Sequence, residues 1–384
     1  MYKGKIKNSI EKNKGDILDL WERIVNIDSG SYNKDGVDKV ALVLKNELDS
    51  LGFNTKIVEM KKAGNTLVGT WNEESNKEPI IFMGHMDTVF SSKESKERPF
   101  LIKDDKAFGP GVLDMKGGLV IGIFAAKALI ESGYNKRPIK VIYLGDEEVA
   151  HINSNAVELI KREADKAKAC LNFESGRLNN EVVVSRMGTR DFKVKIQGVA
   201  AHSGNDPEMG RSAIVQGANL VIELEKLNDI KRGKLINCGL IKGGISTNTI
   251  PDSCEIGILT RYKTREIGEE ILKDIKEVLS KTFVEGTKTE FETKVGIGAM
   301  EKTDEVMGLF NLLSDVNEKL GYKKLVPIEV GGGSDAAFTS EIKIPTVCAL
   351  GVVGEFNHTD KEYAVVDTMY ERIELAANTV YELD

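Results

Sequence analysis

The chain has 384 residues, 41% of them hydrophobic and 29% charged, which suits two or three domains and at least one sizeable core. Lys plus Arg number 53 against 60 Asp plus Glu, a net charge of −7, and this argues against a nucleic-acid-coating protein with a basic footprint. The most apolar run, Gly117 to Ala126, is shorter than the roughly 20 residues of a membrane span.

In chain order, apolar periodicity predicts helices over 17–27 and 37–51, then strands over 56–59 and 65–71. Residues 79–83 form a solidly apolar strand running into GHMD, and 119–130 read as a helix. The stretches 139–148 and 167–175 read as two more buried strands. Continuously apolar strands alternating with helices imply a mostly parallel sheet covered on both faces. From Gly188 the texture changes. An alternating strand at 192–198, a helix at 212–227, strands at 235–241 and 254–261, a helix at 265–281 and a strand at 289–296 follow in turn. That order, β-α-β-β-α-β, is the ferredoxin-like split motif. The α/β texture then resumes with a helix at 304–320, a strand at 325–330, the GGG loop, a strand at 346–352 and a helix at 367–381. The expected fold is α/β: a mixed, mostly parallel sheet sandwiched by helices, built from 1–187 and 298–384, with a compact α+β module inserted at 188–297.

The N-terminal stretch MYKGKIKNSIEKN lacks the apolar core of a signal peptide. Four cysteines (Cys170, Cys238, Cys254, Cys348) are scattered without a CxxC pair. Buried free thiols in a reducing, cytoplasmic compartment are expected, although Cys238 and Cys254 are spaced to face each other across a hairpin. No nucleic-acid or membrane partner is expected.

Only four histidines occur. In GHMDTV, His85 and Asp87 lie two apart at the end of a buried strand, so they share a face at the carboxyl edge where α/β sheets bind ligands. An Asp beside a His can take its second N–H and leave the other nitrogen as a metal ligand, or the pair is a loop histidine with a capping Asp. Asp114 in GPGVLDMKGG reads equally as an N-cap for the following helix. The glycines around it lack the GxxxxGK[ST] or GxGxxG order of a phosphate loop. GDEEVA sets Asp146, Glu147 and Glu148 at the rim of the sheet, where carboxylates repel one another unless cations neutralise them. NFESG adds Glu174 at a neighbouring strand end, and NHTDKEY offers His358. Two histidines with several carboxylates and no cysteine suit Zn, Mn or Co. Two divalent ions, three ligand carboxylates and one hydroxide make a neutral core and leave a carboxylate free for proton transfer, as two-metal hydrolases need.

In order along the chain, GHMDTV, GPGVLDMKGG, DEE, FESG, AHSG, GGGSDA and NHTDKEY resemble the signature segments of a co-catalytic dizinc family. It comprises glutamate carboxypeptidases, aminoacylases, succinyl-diaminopimelate desuccinylases and tripeptidase T. The resemblance covers nearly the whole chain and is nearest to the bacterial glutamate-carboxypeptidase branch. It implies a zinc-exopeptidase-like fold with the insert as a lid and dimerisation domain. Two divalent ions per chain are implied, Zn2+ first with Co2+ or Mn2+ as alternatives, together with a homodimer acting on a peptide or N-acyl amino acid.

Carried over by position, His85, Asp114 and Glu174 would hold one metal and Asp114, Glu148 and His358 the other, with Asp114 bridging. Asp87 would support His85. Glu147 would be the general base as a dimetal-bridging hydroxide attacks an amide next to a free α-carboxylate. The resemblance also implies a cis Asp114–Met115 bond. His202 would reach the partner subunit's site and stabilise the oxyanion. Asn248 and Arg261 would hold the substrate, Arg261 forking onto its carboxylate, with Gly332 letting the backbone approach closely. One departure stands out: the family's Glu-Glu-x-Gly has Ala150 in place of glycine, followed by His151, which is expected on the surface. The substrate side chain is not assigned. Deacylase and di- or tripeptidase activities stay open, as does a non-catalytic binding protein or a phosphate-binding transferase.

Overall fold

The computed structural model describes Tyr2–Leu383. The chain forms two compact units. One runs to Val184 and resumes at Lys302–Glu329 and from Ser334; the other is Ser185–Glu301 with Val330–Gly333.

The first unit is built on a six-stranded sheet in the spatial order Asn54–Val58, Thr66–Trp71, Ile139–Leu144, Ile80–His85, Ala169–Asn172, Thr346–Val347. Thr66–Trp71 is antiparallel to both neighbours, and the remaining pairings are parallel, so every other strand points the same way. Ile80–His85 is buried along its whole length, because helices cover both faces of the sheet and no polar alternation is possible. The helix Gly117–Ser132 is buried almost all round, as its sequence GGLVIGIFAAKALIES requires with so few charges. It packs against the terminal helices Tyr2–Lys12 and Val366–Glu382. Phe82 meets Phe173 edge to face at 5.2 Å, and buried Trp21 donates its indole N–H to Val112 O at 3.2 Å.

The second unit is a four-stranded antiparallel sheet in the order Lys234–Gly243, Ser253–Tyr262, Gly188–Gln197, Lys288–Val295. Along Gly188–Gln197, Phe192, Val194 and Ile196 point inward and alternate with exposed Asp191, Lys193 and Lys195. The helices Ala213–Glu225 and Arg265–Leu279 bury Leu220, Leu224, Ile271 and Ile275 in the same cluster. Chain order β-α-β-β-α-β with this strand order is the split β-α-β arrangement.

The strand predicted over 139–148 stops at Leu144, and Glu147–Val149 is a single 3-10 turn. The strand predicted over 346–352 is only Thr346–Val347, and the helix Tyr2–Lys12 was not expected. Cys170, Cys254 and Cys348 are buried, whereas Cys238 is half-buried; none of the four is in a disulfide. Cys238 pairs with Ile258 and Cys254 with Gly243 in the hairpin, so these thiols do not face each other. Among the described residues, no helix is long and apolar enough to cross a membrane.

Candidate metal centre

Three adjacent parallel strands end at one rim of the first unit. His85 is the last residue of the central strand, Asp146–Glu148 follow the strand on one side, and Glu174 follows the strand on the other. Asp114 arrives from the segment that leads into the helix Gly117–Ser132, and the Asp114–Met115 peptide is cis. This helix start presses close to the third strand: a Cβ on Gly118 would lie 1.9 Å from Phe173 O, so only glycine fits there. His358 sits in a late loop with φ of +65°.

These side chains converge as two groups that share one residue. His85, Asp114 and Glu174 form the first, and Asp114, Glu148 and His358 the second; within each, one donor atom per residue lies within 4.8 Å of the others. Asp114 divides its oxygens between them. Its Oδ1 is 3.4 Å from His85 Nε2, and its Oδ2 is 3.1 Å from His358 Nε2. Glu174 Oε1 stands 3.7 Å from His85 Nε2, and Glu148 Oε2 stands 3.3 Å from His358 Nε2. Glu148 Oε1 is buried and has no hydrogen-bond partner, an arrangement that costs free energy unless something cationic satisfies it. Imidazole and carboxylate donors at this spacing fit borderline or hard divalent ions.

The electrostatics fit the same picture. Burial alone would lower the pKa of His85, but Asp114, Asp87, Glu174 and Glu147 outweigh it and hold the ring well above its usual value. Burial works against ionised Asp114, yet His358 and His85 keep its carboxyl far below the usual range. The pKa of His358 is raised to about 10, chiefly by Asp114 and Glu148. Glu147 lies in neither group, with Oε2 3.9 Å from His85 Nε2. Burial, reinforced by Glu174, Asp335 and Glu148 and opposed by His85, pushes its pKa well above the carboxylate range. Left out of both donor groups, this carboxyl is available for proton transfer.

Asp87 is fully buried and supports more than His85. Its Oδ1 and Oδ2 accept the backbone N–H groups of Glu147 and Glu148 at 3.0 and 3.1 Å, and Ser31 Oγ donates to Oδ2 at 2.7 Å. The nearest partner of His85 Nδ1 is the backbone carbonyl of Asp87 at 3.0 Å; the carboxylate Oδ1 is 3.5 Å away. Either acceptor leaves Nε2 free as a metal ligand.

In the second unit, His202 is exposed and pairs with Thr249 in a two-residue ladder. Its Nδ1 accepts the N–H groups of Gly204 and Asn205 at 3.2 and 3.1 Å, so the neutral ring carries its proton on Nε2. Asn248 Oδ1 accepts from Ser246 Oγ at 2.7 Å, and its carbonyl accepts from Ser203 N at 3.0 Å. Arg261 Nη1 donates to Gly331 O. Arg186 Nη1 donates to Gly332 O and Gly333 O at 3.1 Å each. The two guanidinium groups thus hold all three carbonyls of the glycine loop.

Two features escaped the sequence reading. Glu362, in the same NHTDKEY segment as His358, accepts from Gly111 N at 3.1 Å, Leu113 N at 2.8 Å and Asp114 N at 2.9 Å. Its signal is a lone glutamate four residues after a candidate ligand, too weak to select alone. His151 is buried, not on the surface: its ring lies between Asp146 and Asp335, which neutralise it.

The sequence profile of peptidase family M20/M25/M40 matches residues 81–382. Carboxypeptidase G2 from Pseudomonas sp. (strain RS-16) is 29% identical over 381 residues, covering 96% of this chain and 89% of that protein. Succinyl-diaminopimelate desuccinylase from Ehrlichia canis (strain Jake) is 23% identical, covering 85% of this chain and 88% of that one. Among solved structures, the aminopeptidase PepT from Bacillus cereus ATCC 10987 superposes with a TM-score of 0.82 at 25% identity, covering 96% of this chain and 98% of that one.

Proposed function

The chain belongs to peptidase family M20/M25/M40 and is a metal-dependent hydrolase, and from that premise we propose that it cleaves an amide bond next to a free α-carboxylate, in the manner of a glutamate carboxypeptidase. The observation that carries the reading is Asp114, whose two oxygens face two different donor groups. His85, Asp114 and Glu174 would hold one divalent ion and Asp114, Glu148 and His358 the other, Zn2+ first with Co2+ or Mn2+ as alternatives. Such ions supply Lewis acidity toward a carbonyl and acidify water at neutral pH.

The chain's own groups then divide the work. Glu147, left out of both donor groups and with a raised proton affinity, takes a proton from the attacking water and passes it to the leaving amine. Asp87 fixes the turn that carries Glu147 and Glu148 through their backbone N–H groups. Arg261, oriented by Gly331 O, and Asn248 and Gly332 receive the substrate and its carboxylate. His202 presents Nε2–H to the oxyanion in the site of the other subunit. A homodimer through the second unit is part of the proposal. Its helix Ala213–Glu225 leaves Ile214, Val215 and Ile222 exposed, and its edge strand Lys234–Gly243 leaves Leu240 and Ile241 exposed, a surface that a second copy would cover. The likeness to a desuccinylase and to the aminopeptidase PepT supports a second reading, N-acyl-amino-acid deacylase or di- or tripeptidase action by the same groups.

The test is amino-acid release from dipeptides, tripeptides, N-acylated amino acids and acyl-glutamates, run as purified, after chelation, and after restoring Zn2+ or Co2+. Release that is lost with chelation and returns with metal supports the hydrolase reading, and the residue released names the substrate class. Glu147→Ala should keep both metals and lose about 10²- to 10⁴-fold in kcat. Substantial residual turnover rejects Glu147 as the base.

A further inference from the structure

His151 has no part in the chemistry above, yet it is among the most constrained polar residues of the first unit. It is 5% exposed. Nδ1 is 2.9 Å from Asp146 Oδ1 and Nε2 is 2.5 Å from Asp335 Oδ1. A ring that donates from both nitrogens is the imidazolium. Burial opposes that charge, but Asp335 and Asp146 outweigh it and hold the His151 pKa well above its usual value. The second oxygens, Asp146 Oδ2 and Asp335 Oδ2, are buried with no hydrogen-bond partner, so the ring is what neutralises both carboxylates here. Phe338 closes over it, with ring centroids 5.8 Å apart.

The bridge joins two segments 184 positions apart in the chain. Asp146 immediately precedes Glu147 and Glu148, and Asp335 opens the helix Ala336–Glu341. Ser154 Oγ also donates to Asp146 Oδ1 at 2.9 Å, and His151 N donates to Asp146 O at 3.1 Å. Between these anchors the backbone is strained. Ala150 and His151 have φ of +52° and +54°, two successive left-handed residues where glycine would be at ease and L-residues are not. Something must hold this turn in shape, and Asp87 reaches only its first two N–H groups.

We propose that His151 is a positioning residue, clamped between Asp146 and Asp335 so that the strained turn keeps Glu148 aimed at the second donor group and Glu147 clear of both. The proposal rests on the reading of Glu148 as a ligand and Glu147 as the base. It predicts selective damage. Loss of the clamp weakens the ion held by Glu148 and His358 and lowers kcat, while the ion held by His85 and Glu174 and the affinity for substrate stay.

The experiment is a Co2+ titration of metal-free full-length protein, followed by visible absorbance, for wild type, His151→Gln and Asp335→Asn, with kcat and KM measured after reloading. Wild type should take two Co2+ per chain. In His151→Gln one of the two steps should be unchanged and the other weakened about tenfold, with kcat down by about tenfold or more and KM within about twofold. Asp335→Asn, which keeps the ring paired with Asp146, should show the same pattern more weakly; if His151→Gln does not fold, this variant decides. Both Co2+ steps and kcat within about twofold of wild type in the folded variants would overturn the clamp, as would equal weakening of both steps. Wild type that takes fewer than two Co2+ overturns the two-metal reading, and the clamp with it.

Discussion

Glu362 shows how a residue outside the donor groups can decide where a donor stands. One carboxylate receives three consecutive-region amides, those of Gly111, Leu113 and Asp114, so the backbone that delivers the shared aspartate is pinned from a segment 248 positions away. Burial and the nearby Asp114 raise the Glu362 pKa to about 7 despite those amides. In Glu362→Gln one oxygen becomes an amide nitrogen, which cannot accept, and at least one buried N–H loses its partner. The metal-free variant should be less stable than wild type by about 1–3 kcal/mol at pH 5, read by urea denaturation. The sign of the pH dependence follows from linkage. A carboxyl whose folded pKa lies above the unfolded value of about 4.3 binds a proton in the native state that the unfolded state has released, so its contribution to stability falls as pH rises from about 4.3 to 7. Glutamine does not titrate, so the gap between wild type and variant should narrow between pH 5 and pH 8. A gap that widens with pH rejects this account of Glu362.

At the scale of elements, the donor groups depend on how closely the helix Gly117–Ser132 starts against the end of Ala169–Asn172, and Gly118 sets that distance. A Cβ there would stand 1.9 Å from Phe173 O and 2.8 Å from Met115 Cε, so Gly118→Ala must push the helix start away from the strand end. Asp114 and Glu174 lie on opposite sides of that contact and would separate. A loss of about 2–3 kcal/mol in urea denaturation, with weakened Co2+ binding, is the expected result. Gly133→Ala is the control. Gly133 caps the same helix at φ +86° with nothing within 4 Å of a Cβ; the cost there should be about 1 kcal/mol with metal binding unchanged. Elements of this kind were legible in the sequence wherever burial imposes a solid apolar run, as at Ile80–His85, and the motifs at strand ends marked the rim where the two donor groups converge. The DEE strand was over-extended because Leu144 and Asp146 give no local signal of where the ladder stops; the turn is set by Asp87, some sixty positions away. Tyr2–Lys12 was missed because its buried face holds only Ile6, Ser9 and Ile10, too few apolar residues to show a period. His151 was misjudged for a related reason: Asp335, the partner that neutralises it, lies 184 positions away, and spacing carries no trace of such a pair.

The whole molecule is where the proposed dimer is tested, because the residues assigned to the oxyanion and to the base lie in different units. His202 belongs to the second unit and Glu147 to the first. If a dimer related by twofold symmetry completes each site with the partner's His202, damage to the two residues is complementary. His202→Ala protein still offers an intact Glu147, and Glu147→Ala protein still offers an intact His202. A heterodimer of the two then holds one site with both groups and one with neither. Random mixing of the two inactive proteins should return about a quarter of wild-type activity, since half of the dimers are mixed and one site in each works. The apolar surface of the second unit supplies the control. Ile222→Asp with Leu240→Asp places charge on the exposed face of the helix Ala213–Glu225 and on the edge strand, which should yield monomers in analytical ultracentrifugation and abolish the recovery. Heterodimers verified by mass that stay inactive would reject completion of the site across subunits. Full activity in the monomeric double variant would place the His202 function within its own chain.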